Sequence, residues 1–111
     1  MNTNPNIAII EANPGVGGDE ARHWGDELLG SYIRYANKKG FAVTQLESNI
    51  VKIKGEQAFH IFKNETGVHR IQRIPTTEKR GRVHTSTAII LVLPQILQQE
   101  IKIPQSELEL S

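Results

Sequence analysis

Residues 67–86, GVHRIQRIPTTEKRGRVHTS, combine a basic stripe with a small set of polar side chains that can address nucleobases: Gln72, Thr77, His84 and Thr85. The charge is local. Lys63 to Ser86 holds six Lys/Arg against two acids, whereas the rest of the chain holds seven against ten. A protein of net charge +1 therefore concentrates about +4 in one short stretch. Clustered cation attracts phosphate backbones whatever their sequence. Gln, Thr and His beside it can hydrogen-bond to base edges or stack on base faces.

A second candidate is the glycine-rich loop Pro14–Gly15–Val16–Gly17–Gly18, running into Asp19 and Glu20. Glycines before a helix suggest a phosphate cradle. A nucleotide-binding loop of the Walker type needs Gly-Lys-Ser/Thr, and here two anions follow that would repel phosphate. A nucleotide-dependent enzyme is disfavoured on that ground. His23, His60, His69 and His84 lack metal-ligand spacing, so no metal site is expected. No Ser-His-acid set suggests a nucleophile, and no cofactor motif is visible.

The elements that position these groups follow from pattern. A chain of 111 residues, 38% hydrophobic and 23% charged, suits one globular domain with one core. No apolar run approaches the roughly 20 residues needed to cross a membrane, and the N-terminus lacks a secretory pattern. Without cysteine there is no disulfide or thiolate chemistry. A cytoplasmic protein is expected.

Ile7–Glu11 reads as a strand, and Asp19 and Glu20 open a helix that Lys38, Lys39 and Gly40 close. Ala21, Trp24, Leu28, Tyr32 and Tyr35 or Ala36 recur at helical spacing and should face the core. Phe41–Leu46, Ile50–Ile53 and Ala58–Phe62 read as strands, with a turn at Gly55-Glu56. The stretch around Pro75 and Gly81 is expected to be irregular. Thr87–Leu93 should be a central strand ended by Pro94, and Glu100–Ile103 a last strand. The expected fold class is α+β, a single domain with one long helix packed on a mostly antiparallel sheet.

The segment HRIQRIPTTEKRGRVHTS resembles the codon-reading segment of bacterial class I peptide chain release factors. Within them it resembles the type that reads UAA and UAG, whose Pro-x-Thr signature corresponds to Pro75-Thr76-Thr77. PGVGGDEARHWGDELLGSYIRYANKKG is similar to the glycine-rich helix start, and the helix after it, of the same family. The two matches stand in the family's order and run from about Ile7 to Pro94.

The resemblance implies roles. Positions matching Gly17 and Glu20 hold the first uridine, whose N3–H is a donor that cytosine lacks. Pro75 stiffens the loop that presents Thr77, with Thr76 between them. A Thr77 hydroxyl donating to uridine O4 turns its lone pairs to the second base. Adenine offers an amine there and guanine an acceptor, a mismatch of about 1–3 kcal/mol. The histidine matching His84 stacks between the second and third bases, for about 1–3 kcal/mol. Gln72 and Thr85 match the contacts of the third, and their dual donor and acceptor capacity admits A or G. Arg70, Arg73, Lys79, Arg80 and Arg82 are candidates for phosphates of messenger and ribosomal RNA. The implied partners are the ribosomal decoding site on the small subunit, the stop codon and ribosomal RNA.

Two departures from the family stand out. Its catalytic Gly-Gly-Gln is absent; the sole Gly-Gly is Gly17-Gly18, and the sequence stops at Ser111, short of where the motif is expected. The chain is therefore expected to be a codon-recognition domain without hydrolytic activity of its own, or a truncated relative that binds stalled ribosomes without releasing peptide. Between Glu47 and Phe59, SNIVKIKGEQ replaces a longer family stretch.

Overall fold

A computed structural model describes residues 3–75 and 78–96. The elements are β1 (Thr3–Pro14), α1 (Gly18–Lys38), β2 (Ala42–Glu47), β3 (Ile50–Lys54), α2 (Ala58–Phe62), β4 (Gly67–Arg73) and β5 (His84–Ile96). The strands form one sheet in the order β2-β3-β1-β5-β4, every neighbouring pair antiparallel. Helix α1 lies across one face, mainly over β1 and β5. The expected α+β class, one long helix on an antiparallel sheet, is the architecture observed.

Alternation decides which side chains meet the helix. Ala8, Ile10 and Ala12 of β1, Val51 and Ile53 of β3, and Ile90 and Val92 of β5 form the core with Leu29, Tyr32 and Ala36 of α1. Phe62 of α2 closes the far end, edge-on to the rings of Tyr32 and Tyr35. Full burial of one such Ile or Val contributes about 1.5–3 kcal/mol. The intervening residues of β4 and β5, among them Val68, Ile89, Leu91 and Leu93, are exposed on the other face.

The buried stripe of α1 is Ala21, Gly25, Leu29, Tyr32 and Ala36, one residue round from the expected one at Trp24 and Leu28. Those two are half-buried flanks, and Tyr35 is exposed. Close approach is the reason. A Cβ on Gly25 would stand 3.6 Å from Ala12 Cβ and 3.8 Å from Ala88 Cβ. Small residues must therefore occupy the seam, and the indole is displaced to the side.

Two further expectations are corrected, and one element was passed over. Ala58–Phe62 is a single helical turn, not a strand: Ala58 and Phe62 are buried at i,i+4 spacing, and Gln57 enters with φ 60°. A five-residue apolar run does not separate the two by itself. Pro94 does not end β5, which continues to Ile96. It lies opposite Ala8, where the β1 register shifts between Asn4 and Ala8, and such an irregularity tolerates a residue without an N–H. Residues 67–73, where polar side chains obscure the strand pattern, form edge strand β4. The strand expected at Glu100–Ile103 lies outside the described residues.

The short SNIVKIKGEQ stretch forms the turn after β2 and then β3. Asn49 ties it to the central strand: its side-chain amide donates to Ala12 O at 3.1 Å, and its own carbonyl accepts from Ala12 N–H at 3.0 Å.

Neighbouring residues of β5 should report which face is the core. Ile90→Ala should cost about 2–5 kcal/mol in urea unfolding, and Leu91→Ala about 0.5 kcal/mol or less. Equal losses would contradict the assigned faces.

Candidate nucleic-acid interface

The glycine-rich loop is stitched to β5. Gly15 N–H donates to Thr87 O at 2.8 Å, Thr87 N–H returns a bond to Val16 O at 2.8 Å, and Val16 N–H donates to Thr87 Oγ1 at 2.7 Å. Gly17 caps α1 at φ 119° and passes so close to β5 that a Cβ there would stand 2.8 Å from Ser86 Oγ. An L side chain is strained at that φ and obstructed by Ser86. The helix tip, bare of side chain at Gly17, thus sits two positions along β5 from His84.

A guanidinium holds α1 to edge strand β4. Arg73 donates to Glu20 Oε1 through Nη2 at 2.7 Å and Nε at 3.1 Å, and to Glu27 through Nη2 at 2.6 Å and Nη1 at 3.1 Å. It also lies 6.0 Å from the ring centroid of Trp24, whose indole N–H donates to His69 O at 3.0 Å. Hydrogen bonding to Arg73 holds the Glu27 carboxyl below its ordinary range, and the two carboxylates raise the Arg73 value further. Arg73, expected at a phosphate, is here engaged with two carboxylates. Glu20, expected at the first base, is one of them. A separation of 53 positions between Glu20 and Arg73 hid this pair from sequence reasoning.

The register of β4 on β5 sorts the remaining residues between the two faces of the sheet. Gln72 stands opposite Thr85, and its amide donates to Thr85 Oγ1 at 3.2 Å on the open face. Arg73 stands opposite His84, and these two face the helix side. A cleft of about 580 Å³ opens there between α1 and the strand ends. Glu20, Pro75 and His84 line it, joined by Asp19, His23, Glu27, Arg73 and Ile74. Of the residues proposed from sequence, Glu20, Arg73, Pro75 and His84 therefore share one cleft, and Gly17 is not among its lining residues. Gln72 and Thr85 lie on the opposite face. Thr76 and Thr77 lie outside the described residues.

One organising residue was missed. Glu78 sits in the basic loop with its side chain 4% exposed. Its N–H donates to Pro75 O at 3.0 Å. Its carboxylate accepts from Arg80 N–H at 2.6 Å, from His84 Nε2 at 2.8 Å and from Arg82 Nε at 3.4 Å. The Arg80 amide first, then His84 and Arg82, pull the Glu78 carboxyl down to about 2. A lone acid between Arg73 and Lys79 was the available signal. Arg70, Lys79, Arg80 and Arg82 are exposed.

The charges are thus divided by position. Asp19, Glu20 and Glu27 give the cleft a carboxylate lining that disfavours phosphate and favours N–H donors, while exposed cations surround the loop. Among the described residues no group of three or more His, Cys, Asp or Glu is arranged to hold a metal, and no helix is long and apolar enough to cross a membrane.

Comparison with known proteins identifies the domain type. A family model described as the PCRF domain matches residues 2–90. The chain belongs to the PCRF-domain family. Peptide chain release factor 1 of Thermotoga maritima is 41% identical over 113 residues, covering 93% of this chain and 33% of that protein. The Aquifex aeolicus protein of the same name is 43% identical, covering 92% and 31%. A putative mitochondrial peptide chain release factor 1 of Schizosaccharomyces pombe is 48% identical over 104 residues, covering 84% and 26%. Among solved structures, RF2 of Thermus thermophilus superposes with a TM-score of 0.77 at 32% identity, over 91% of this chain and 32% of that one. This PCRF domain therefore spans about a third or less of the length of these relatives.

The Arg73 contacts set a pH signature for the PCRF domain. Arg73→Ala should cost about 1–2 kcal/mol at neutral pH, the ion pairs being partly exposed. Because the folded Glu27 value lies below its ordinary 4.5, its contribution is present above that pH and is lost as pH falls through the folded value. The gap in urea stability between wild type and Arg73→Ala should narrow in acid. An undiminished gap there would show that the Arg73 side chain acts through packing on Trp24.

Proposed function

We propose that this PCRF domain takes part in translation termination by reading UAA and UAG stop codons in the decoding site of the small ribosomal subunit. The observation that carries this is the convergence of Glu20, Pro75 and His84 at one cleft, with Gly17 seated against Ser86 of β5 and Gln72 and Thr85 paired on the other face of the sheet. Two bases would enter the cleft. Backbone groups at Gly17 and a carboxylate oxygen of Glu20 would meet the first uridine, and Thr77, next to the rigid Pro75, would meet the first and second bases. The His84 ring would stack beneath the second base and part it from the third, which would turn to Gln72 and Thr85 on the other face. The separation of those pairs onto two faces supports the division of the codon.

Arg70, Lys79, Arg80 and Arg82 would contact phosphates of messenger and ribosomal RNA. Arg73 is better suited to holding Glu20 in place than to a phosphate. Fold likeness to RF2 leaves the codon choice open; the Pro75-Thr76-Thr77 tripeptide supports UAA and UAG. The sequence holds no Gly-Gly-Gln, so peptidyl-tRNA hydrolysis is assigned to no residue of this chain.

The test is peptide release by a full-length release factor carrying this domain in place of its own. It should act on UAA and UAG and not on UGA; equal activity on UGA would overturn the codon assignment.

Salt and substitution separate the two kinds of contact. Arg80→Ala or Arg82→Ala should weaken ribosome binding on stop and sense codons alike and reduce its salt dependence. His84→Ala should cost about 1–3 kcal/mol mainly on the stop codon. Equal weakening on both codons would make the ring structural.

A further inference from the structure

We propose that Glu78 is a positioning residue that fixes both the orientation and the tautomer of His84, so that the ring meets RNA with an unprotonated Nδ1. This deepens, and rests on, the codon-reading role given above. A neutral imidazole carries one donor nitrogen and one acceptor. Its free edge can therefore receive a hydrogen bond or give one, and which it does is set by what binds the other nitrogen. Here Nε2 lies 2.8 Å from Glu78 Oε1. An ionised carboxylate only accepts, so Nε2 must carry a proton, and in the neutral ring that leaves the lone pair on Nδ1.

Two features make that carboxylate a fixed reference. It is 4% exposed, whereas its partners Arg82 and His84 are 67% and 43% exposed, so the loop has folded around the acid. Its second oxygen is held by Arg80 N–H, and its own N–H reaches back to Pro75 O. Arg80 and His84 thus bind opposite oxygens of one group, and with Arg82 they pull the carboxyl down to about 2, so it is ionised at neutral pH. The other charged groups at the cleft, Asp19, Glu20, Glu27, His23 and Arg73, belong to α1 and β4. A glutamine at 78 would have the same length and only one acceptor oxygen. With that oxygen on Arg80 N–H, its NH2 would face His84 as a donor and favour the opposite tautomer.

The consequence is a preference for a donor. The lone pair of an acceptor Nδ1 lies in the ring plane, beside the stacked base and not under it, where a ribose 2′-hydroxyl can donate to it. His84 would then add recognition of ribose to stacking.

The direct experiment is nitrogen NMR of the 111-residue chain labelled at histidine, at mildly alkaline pH. His84 should show the Nε2–H tautomer in the wild type and lose its dominance in Glu78→Gln and Glu78→Ala, with the amide spectrum of the sheet unchanged. A wild-type Nδ1–H ring, or a tautomer indifferent to both substitutions, overturns the proposal. In the domain-swapped factor, Glu78→Gln should reduce the preference for ribose over 2′-deoxyribose at the codon roughly tenfold, at unaltered salt dependence. Purine in place of adenine at the second codon position should leave that effect of Glu78→Gln unchanged. An unchanged preference for ribose would overturn the proposed effect on RNA. A swapped factor inactive on every stop codon, beside the expected NMR result, would instead remove the codon-reading role and leave the tautomer assignment standing.

Discussion

The close seating of the α1 N-terminus on β5 is the constraint from which the cleft follows. Three backbone and hydroxyl hydrogen bonds join Gly15 and Val16 to Thr87, Gly17 lies against Ser86, and Gly25 packs on Ala12 and Ala88. A Cβ on Gly15 would collide with Thr87 and one on Gly17 with Ser86, so glycine at those two positions is the structural condition for the approach. Because the helix meets the sheet this closely, its first three turns present Glu20 and Glu27 to Arg73 on the edge strand. The seam between helix and sheet contains few large apolar side chains at this end. The ion pairs and Trp24 supply the lateral hold there, while Leu29, Tyr32 and Phe62 anchor the other end by burial.

The second organising effect is the placement of acids within a basic region. Glu78 folds the loop around itself, and Glu20 and Glu27 neutralise Arg73. The exposed cations Arg70, Lys79, Arg80 and Arg82 remain for long-range attraction, which acts without regard to sequence. Groups of defined polarity, the α1 carboxylates and His84, line the cleft instead. Exposed charge and directed polar groups thus lie on different side chains of the domain.

Much of the fold was legible because local physics is strong in it. The strand at Ile7–Glu11, the helix opened by Asp19 and Glu20, and the β-branched run at Thr87–Leu93 are visible in periodicity, capping and composition. Residues 58–62 and 67–73 were misread or passed over for a shared reason. A short segment takes its conformation from what it packs or pairs with, and neither burial of Phe62 against Tyr32 nor pairing with β5 is a local property.

By itself, then, the amino-acid order determined the α+β class, the basic stripe, and the candidate readers at Gly17, Glu20, Gln72, Pro75, His84 and Thr85, whose types and motif order are one-dimensional information. Tertiary structure alone decided that Arg73 pairs with Glu20 and Glu27, that Glu78 holds His84, and that Gln72 and Thr85 lie on the opposite face from the cleft. Those facts depend on which strand lies beside which helix and on the register of β4 against β5. A shift of one residue in that register would exchange the two faces.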